Sequence, residues 1–329
     1  MRGRLSGTHS RDQYNTNQKR SGEKYMTEAE RLIQDGLFSD DYFKEETRND
    51  FKISSKTKKI WAIELEMLLT LDKVCRKHHL KYFLLFGTLL GAVRHHGFIP
   101  WDDDVDVGMF RDDYEKLLLL KDEFPAPIFL QNHKTDPECF MSYSRLRNSN
   151  TTAISKKLRF QKMNHGIFLD IFPLDNLLQN ESSERYEKIN ALNIDNGTFM
   201  KMSNPNLSGR DLLLSKDYKR QNKDPEKTLE EIHLLATLQN AKPMEYISNL
   251  VCTLSPLRTK RWNAEWFSKT IPFEIDGFKF SAPVGYKEIL TMNYGDYMKF
   301  PPLEERQAHP HYLFDPDKSY LDFQPQDIE

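Results

Sequence analysis

Cysteine is scarce: the 329 residues hold three, Cys75, Cys139 and Cys252, scattered and without a CxxC pair. They offer no metal framework and fit a reducing compartment. A surplus of positive charge is missing too. The 47 Lys and Arg face 49 Asp and Glu, a net charge of −2, which argues against a dedicated nucleic-acid binder. No run of about 18 apolar residues occurs, so no transmembrane helix is expected. No apolar core of a signal peptide stands near the N-terminus, and internal repeats and low-complexity tracts are absent. Gly is held to 14 residues, while apolar residues make up 38 % and aromatics 12 %. That composition suits a packed globular core, and the length suits one large domain or two moderate ones.

Residues 1–24 are polar and basic and read as a solvated, disordered tail. Residues 25–54 read as short helical pieces anchored by Tyr25, Leu32 and Phe38. Over 58–79, Trp61, Leu65, Leu68, Leu71 and Cys75 recur at spacings of three and four, which predicts a helix. The apolar run 81–86 predicts a buried strand, broken at Gly87-Thr88 ahead of a short helix over 89–95. Strands are predicted over 127–132, 141–146 and 165–175, with a helix over 114–124 capped by Asp112 or Asp113. Helices are predicted over 182–202, 225–240, 243–254, 258–269 and 285–294, with a mobile polar loop at 203–223. Asp276-Gly277 marks a two-residue hairpin turn within 273–280. Four regions result: a polar tail with short helices (1–54), a catalytic core (55–180), a mostly helical region (181–270) and a C-terminal hairpin, helix and irregular tail (271–329).

The stretch 86–107, F-G-T-L-L-G-A-V-R-H-H-G-F-I-P-W-D-D-D-V-D-V, organises the rest. Asp104 and Asp106 alternate with Val105 and Val107, which on a strand points both carboxylates to one face and buries the valines on the other. Asp170 stands alone between Leu169 and Ile171, where burial requires a metal, a cation or an edge position. Four chemistries compete. A calcium loop fails, because its sixth and twelfth positions hold Val107 and Asp113 instead of Gly and Glu. An acidic solvated turn accounts for Asp102 and Asp103 but not for two carboxylates in an apolar alternation. A two-carboxylate acid–base pair leaves the Gly-Thr turn and Asp170 without a role. A metal-dependent phosphoryl-transfer site uses all three features: a Gly-Thr turn after an apolar strand, an Asp-x-Asp strand, and a lone Asp on a later strand. Paired Mg²⁺ ions in such sites need convergent carboxylates.

Three blocks, 86–109, G-I-F-L-D-I-F-P-L-D at 166–175 and Y-G-D-Y-M-K-F-P-P-L-E-E-R-Q-A-H at 294–309, closely resemble the LicD family of phosphocholine transferases, relatives of fukutin-type phosphotransferases. The resemblance is weak over 1–55 and 177–275. It implies an α/β (α+β) fold, a nucleotidyltransferase-like mixed sheet flanked by helices, with a helical insertion and a C-terminal extension. The implied reaction moves a substituted phosphate from a CDP-activated donor, CDP-choline in the best-known members, to a sugar hydroxyl of a cell-surface glycan, with release of CMP. Other relatives move ribitol phosphate or mannosyl phosphate. A nucleotidyltransferase proper, releasing pyrophosphate, and a degenerate glycan-binding scaffold are the rival readings.

Carried onto this chain, the resemblance implies Asp104, Asp106 and Asp170 as ligands of Mg²⁺ or Mn²⁺, with Asp170 as third carboxylate or base. Gly87 and Thr88 would admit the diphosphate, and Arg94 would neutralise phosphate. Asp296, Arg306 and His309 would close the site. Trp101, Tyr294 and Tyr297 are candidates for a quaternary-ammonium box, against ordinary packing. Asp175 reads as ending its strand at a turn. The expected partners are a CDP-alcohol and a glycan, with no nucleic acid and no membrane-spanning segment. The expected location is the cytoplasm, at the inner face of the membrane through peripheral association.

Overall fold

The computed structural model describes residues 26–252, 261–308 and 312–328. The tail expected over 1–24 and the Tyr25 anchor lie outside them, whereas Leu32 and Phe38 are buried as expected. Helix α1 (Glu28–Gln34) opens on a capping box between Thr27 and Glu30. A 3₁₀ turn at Asp40–Phe43 is a second helical piece of the kind expected, and only beyond it does the chain form a hairpin instead, of β1 (Glu46–Arg48) and β2 (Phe51–Ile53). Asn49 and Asp50 turn it with φ of 51° and 60°, values these residues tolerate.

Helix α2 (Ser55–Lys77) realises the apolar spacing. Ser54 caps it by accepting from the Thr57 N–H, and Trp61, Leu65, Leu68 and Leu71 are fully buried. Burying each such side chain contributes roughly 1.5–3 kcal/mol. Strand β3 (Phe83–Leu84) is shorter than expected, and α3 (Phe86–Arg94) starts at Phe86, so Gly87 and Thr88 form its first turn. Phe86 takes φ of 44°. For an aromatic side chain that left-handed conformation costs about 1–3 kcal/mol. It swings the chain from strand to helix in one residue.

Strand β4 (Asp106–Phe110) runs directly into α4 (Arg111–Leu118). Neither Asp112 nor Asp113 caps α4 as expected, because both lie inside its first turn and Phe110 holds the cap position. Asp113 instead accepts from the Lys81 N–H at 3.0 Å. Strands β5 (Ile128–Gln131), β6 (Ser144–Asn148), β7 (Thr152–Ser155) and β8 (Ile167–Leu177) follow. Three helices come next: α5 (Glu184–Lys201), α6 (Gly209–Arg220) and α7 (Pro225–Thr237). Helix α6 occupies the segment expected to be a mobile loop, because burial of Tyr218 and packing on α5 hold it.

The helices expected at 243–254 and 258–269 are corrected as well. Residues 253–260 lie outside the description; the rest form β9 (Tyr246–Ser248), β10 (Trp262–Asn263) and a 3₁₀ turn at Ala264–Phe267. Pairing of β9 with the end of β8 overrides the local pattern. The hairpin of β11 (Thr270–Ile275) and β12 (Phe278–Pro283) turns at Asp276 and Gly277, with φ of 45° and 92°. Helix α8 (Tyr286–Tyr294) precedes an irregular end, from which β13 (Tyr312–Asp315) returns to pair with β7.

Among the described residues the main sheet has seven strands and is mixed, in the α+β manner expected. Its centre is β8, every residue of which is buried. Strand β4 lies parallel to β8 with Asp106 opposite Asp170, and β6 lies antiparallel to it with Arg145 opposite Asp170. This register sets Asp106, Asp170 and Arg145 abreast across three strands. Helix α2 packs on β6 and β8, and a second apolar cluster joins α5 and α7 to Phe140, Leu250 and Val251.

Candidate active site

Asp104 precedes the first hydrogen-bonded residue of β4, so only Asp106 is on the strand itself. The expected alternation nevertheless holds: Val105 and Val107 are fully buried, while Asp104 and Asp106 are half-buried. Asp103, expected on a solvated turn, is buried, because the loop folds inward. The Trp61 indole N–H donates to the Asp102 carbonyl at 2.9 Å and holds the loop against α2.

Asp102, Asp103, Asp104, Asp106 and Asp170 line one cavity of about 640 Å³. Aromatic side chains form much of its remaining wall. Tyr143 lies 4.7 Å from Phe172 between ring centres, Phe86 lies 6.1 Å from Phe172, and Phe168 lies 5.4 Å from Tyr312.

Asp170 meets the expected need for a counter-charge through Arg145. The Arg145 Nε donates to Oδ1 at 2.5 Å and Nη2 donates to Oδ2 at 3.2 Å, a two-pronged pair. The guanidinium also lies 3.9 Å from the Phe168 ring centre. Burial opposes the Arg145 charge, yet the Asp170 carboxylate raises its pKa well above the ordinary value. Asp106 has no such partner among the described residues. Burial first, then the Asp104 and Asp170 charges, pushes its pKa well up. Glu64 on α2 was not anticipated. It is 1 % exposed, its Oε2 has no hydrogen-bond partner, and burial followed by Asp104, Asp103, Asp102 and Asp106 raises its pKa well above normal. An acidic residue inside the apolar W-A-I-E-L run was the available signal.

Carboxylates thus outnumber cations here, and their hard oxygens are the donors a divalent cation takes. Among the described residues no three His, Cys, Asp or Glu side chains close on one point as metal ligands. The site fits such a cation by donor type and surplus charge, not as a finished coordination shell.

The Gly-Thr turn supports the carboxylates directly. Thr88 Oγ1 accepts from the Asp106 N–H at 2.8 Å, so it fixes the start of β4. A methyl group on Gly87 would come within 2.6 Å of an Asp102 carboxylate oxygen, so glycine there admits the aspartate loop. The expected approach of a diphosphate to Gly87 therefore competes with Asp102 for the same space.

Arg94, Asp296 and Trp101 belong to a second cavity of about 580 Å³, which shares Gly87, Asp102 and Tyr294 with the first. Arg94 Nη1 donates to the carbonyls of Tyr297 and Lys299 at 2.9 and 3.3 Å. Arg306 donates to the carbonyls of Pro301 and Asn49 at 3.0 and 2.9 Å. Trp101 lies 4.9 Å from the Arg306 guanidinium and 6.0 Å from that of Arg94, and among the described lining residues it is absent from the first cavity. Tyr297 lines only the second cavity, and Tyr294 lines both. His309 lies outside the described residues. His95 bonds Asn49 through Nδ1, and burial with Arg94 nearby pushes its pKa down to about 4. Asp175 does not end its strand at a turn: it is buried within β8 and paired with Arg111 at 2.9 and 2.6 Å.

The carboxylate-lined cavity thus lies on a parallel strand pair beside a strand-to-helix turn. Residues 79–205 match the family described as LicD/FKTN/FKRP, nucleotidyltransferase domain. Lipopolysaccharide cholinephosphotransferase LicD of Haemophilus influenzae is 29 % identical over 245 residues, covering 72 % of this chain and 89 % of that protein. Human ribitol 5-phosphate transferase FKRP is 54 % identical over 33 residues, 10 % of this chain and 7 % of that protein. Over residues 79–205 the chain is similar to the nucleotidyltransferase domain of that family, and the relationship supports a transferase with a phosphotransferase role.

Proposed function

We propose that this enzyme moves a substituted phosphate, phosphocholine first among the candidates, from a CDP-activated donor to a sugar hydroxyl of a cell-surface glycan, releasing CMP. The observation that carries the proposal is one cavity in which surplus carboxylates face an aromatic wall. Aromatic faces and negative charge both attract a quaternary ammonium group. A divalent cation, Mg²⁺ or Mn²⁺, held by Asp104 and Asp106 would neutralise charge on the transferred phosphate. Thr88 fixes Asp106 through its backbone, and Arg145 pairs with Asp170 and orients it as the third carboxylate. The aromatic side chains exclude water from the transferred group, and Tyr294 lies where the two cavities meet.

Ribitol phosphate is the second reading, favoured by the local similarity to FKRP. A polyol needs hydrogen-bonding side chains, and Ser142, Asn193, Tyr143, Tyr294 and Tyr312 are neutral hydrogen-bonding residues on the wall. The helical stretch 181–270, weakly related to the family, is where acceptor choice would reside. Among the described residues no helix is long and apolar enough to cross a membrane. Cytoplasmic action at the inner membrane face belongs to the proposal. A melting panel of CDP-choline, CDP-ribitol, CDP-glycerol and GDP-mannose with Mg²⁺ tests it, because a ligand that binds the native state raises its melting temperature. The largest rise is expected with CDP-choline. A rise with GDP-mannose and none with the CDP-alcohols would overturn the donor assignment.

A further inference from the structure

The near-balance of charge over the whole chain conceals an uneven surface. Residues 156–162, K-K-L-R-F-Q-K, carry four basic side chains and no acidic one, and residues 210–220 on α6 carry four more beside Asp211 and Asp217. Asp211 joins the two runs: it lies 4.0 Å from Lys157 and accepts from Lys201 at 3.1 Å. Ser203 adds a second tie by donating to Gln161 at 3.0 Å. The carboxylates nearby are already engaged. Asp217 pairs with Arg220 at 2.9 Å, Asp195 pairs with Lys223 at 2.6 Å, and Glu138 accepts from the Lys162 backbone N–H at 3.0 Å. Lys156, Lys162, Arg210, Lys216 and Lys219 are exposed, and among the described residues none of them has a carboxylate within 4.0 Å. Apolar side chains stand among these cations. On α6, Ser215 and Tyr218 are buried, whereas Leu212 is 36 % and Leu213 64 % exposed. Leu213, Lys216 and Arg220 follow one another at helical spacing and share the outward face. One exposed leucine needs no explanation. Two side by side in a cationic patch match a boundary between water and hydrocarbon, the leucines beneath the head groups and the ammonium groups among them. A nucleic acid is held by stacking rings beside cations, but the exposed large apolar side chains here are leucines.

We propose that this face, α6 together with residues 156–162, docks the enzyme on an anionic phospholipid bilayer, its lysines and arginines on the head-group phosphates and Leu212 and Leu213 among the outer acyl carbons. Each basic side chain at such a surface is worth about fivefold in partitioning. The set therefore suffices without a membrane-crossing helix, which the described residues do not contain. The face adjoins the site: Asn193, Gly197 and Met200 of α5 line the first cavity, and the next residue, Lys201, holds Asp211. Docking keeps the carboxylate cavity beside the bilayer, where an acceptor anchored in lipid is at high local concentration. This deepens the membrane-face part of the proposed function and rests on it only for the place of action; docking itself needs neither donor nor metal.

Co-sedimentation of the full chain with vesicles tests the proposal, phosphatidylcholine alone against an equal mixture of phosphatidylcholine and phosphatidylglycerol. Partitioning at least about tenfold stronger into the anionic vesicles is expected, falling as salt is raised. Lys216→Gln with Lys219→Gln should weaken it by about tenfold or more. Leu213→Ser should weaken it by about threefold or more, a loss that charge alone would not produce. Lys156→Gln with Lys162→Gln, at exposed positions on the other run, is a second variant should the changes on α6 disturb the helix, and it too is expected to weaken binding by about tenfold. Equal binding to neutral vesicles, or unchanged binding in folded proteins carrying either lysine pair, overturns the proposal. So does capture of single-stranded RNA without vesicle binding, which would replace lipid by nucleic acid. Vesicle binding and turnover separate the two claims. A folded, metal-loaded protein that docks but turns over no CDP-alcohol keeps the docking face and loses the phosphotransfer reading. One that turns over CDP-choline yet ignores anionic vesicles loses the docking face alone.

Discussion

Replacing Arg145 by leucine isolates the pair that holds Asp170. Asp170 is 8 % exposed, and the Arg145 guanidinium takes both of its oxygens at 2.5 and 3.2 Å. Removing one partner of a buried ion pair costs about 3–5 kcal/mol, because the other charge is stranded. Here the stranded carboxylate would face Asp104 and Asp106, so the upper part of that range is expected. Removing both partners strands nothing: Arg145→Leu with Asp170→Leu should recover most of the loss, leaving a deficit of about 1–2 kcal/mol from imperfect packing. Denaturant unfolding of both variants reads these values directly, provided the slope with denaturant is unchanged. An Arg145→Leu protein within about 1 kcal/mol of the parent at neutral pH would refute the reasoning, since a buried pair cannot lose its cation so cheaply.

Further outcomes follow from the same geometry. Glu64→Gln should stabilise the metal-free protein at neutral pH, because burial and the neighbouring aspartates disfavour the Glu64 carboxylate; a lower melting temperature would contradict it. Asp106 and Glu64 have folded-state pKa values raised above their unfolded ones, so the folded state binds more protons across that window. The metal-free protein should therefore gain stability as pH falls from neutrality toward the ordinary carboxylate range, and Mg²⁺ should remove that gain; a flat melting profile between pH 7 and about pH 5 would count against both shifts. Thr88→Val should cost about 1–3 kcal/mol by leaving the Asp106 N–H unpaired, with loss of turnover that Thr88→Ser restores. Asp104→Asn and Asp106→Asn should each abolish turnover while keeping the far-ultraviolet circular dichroism of the parent; parental activity in either would remove the metal assignment.

Much of this architecture was legible in advance, for physical reasons. Trp61, Leu65, Leu68 and Leu71 repeat with the period of a helix over several turns, and Asp276-Gly277 accepts the positive φ a tight hairpin imposes. The Val105–Val107 alternation showed which way Asp104 and Asp106 face, although the first hydrogen-bonded residue of β4 is Asp106. What stayed hidden depends on partners distant in the chain. Segment 243–254 looks helical alone, but β8 captures its middle as a strand. The need for a cation at Asp170 was clear from Leu169 and Ile171, whereas its identity as Arg145 depends on the register of β6. Arg145 and Arg147, two steps apart in a strand that is buried throughout, were the overlooked sign of that arrangement. Asp175 shows the same limit, since its partner Arg111 lies 64 residues away.

The most direct test of the phosphotransfer account is product analysis by phosphorus NMR, using the Mg²⁺-loaded full chain, CDP-choline and a glycan acceptor. The account predicts CMP together with a new phosphocholine ester, both dependent on Asp106. Pyrophosphate as the product, or no consumption of any CDP-alcohol by folded, metal-loaded protein, would contradict it.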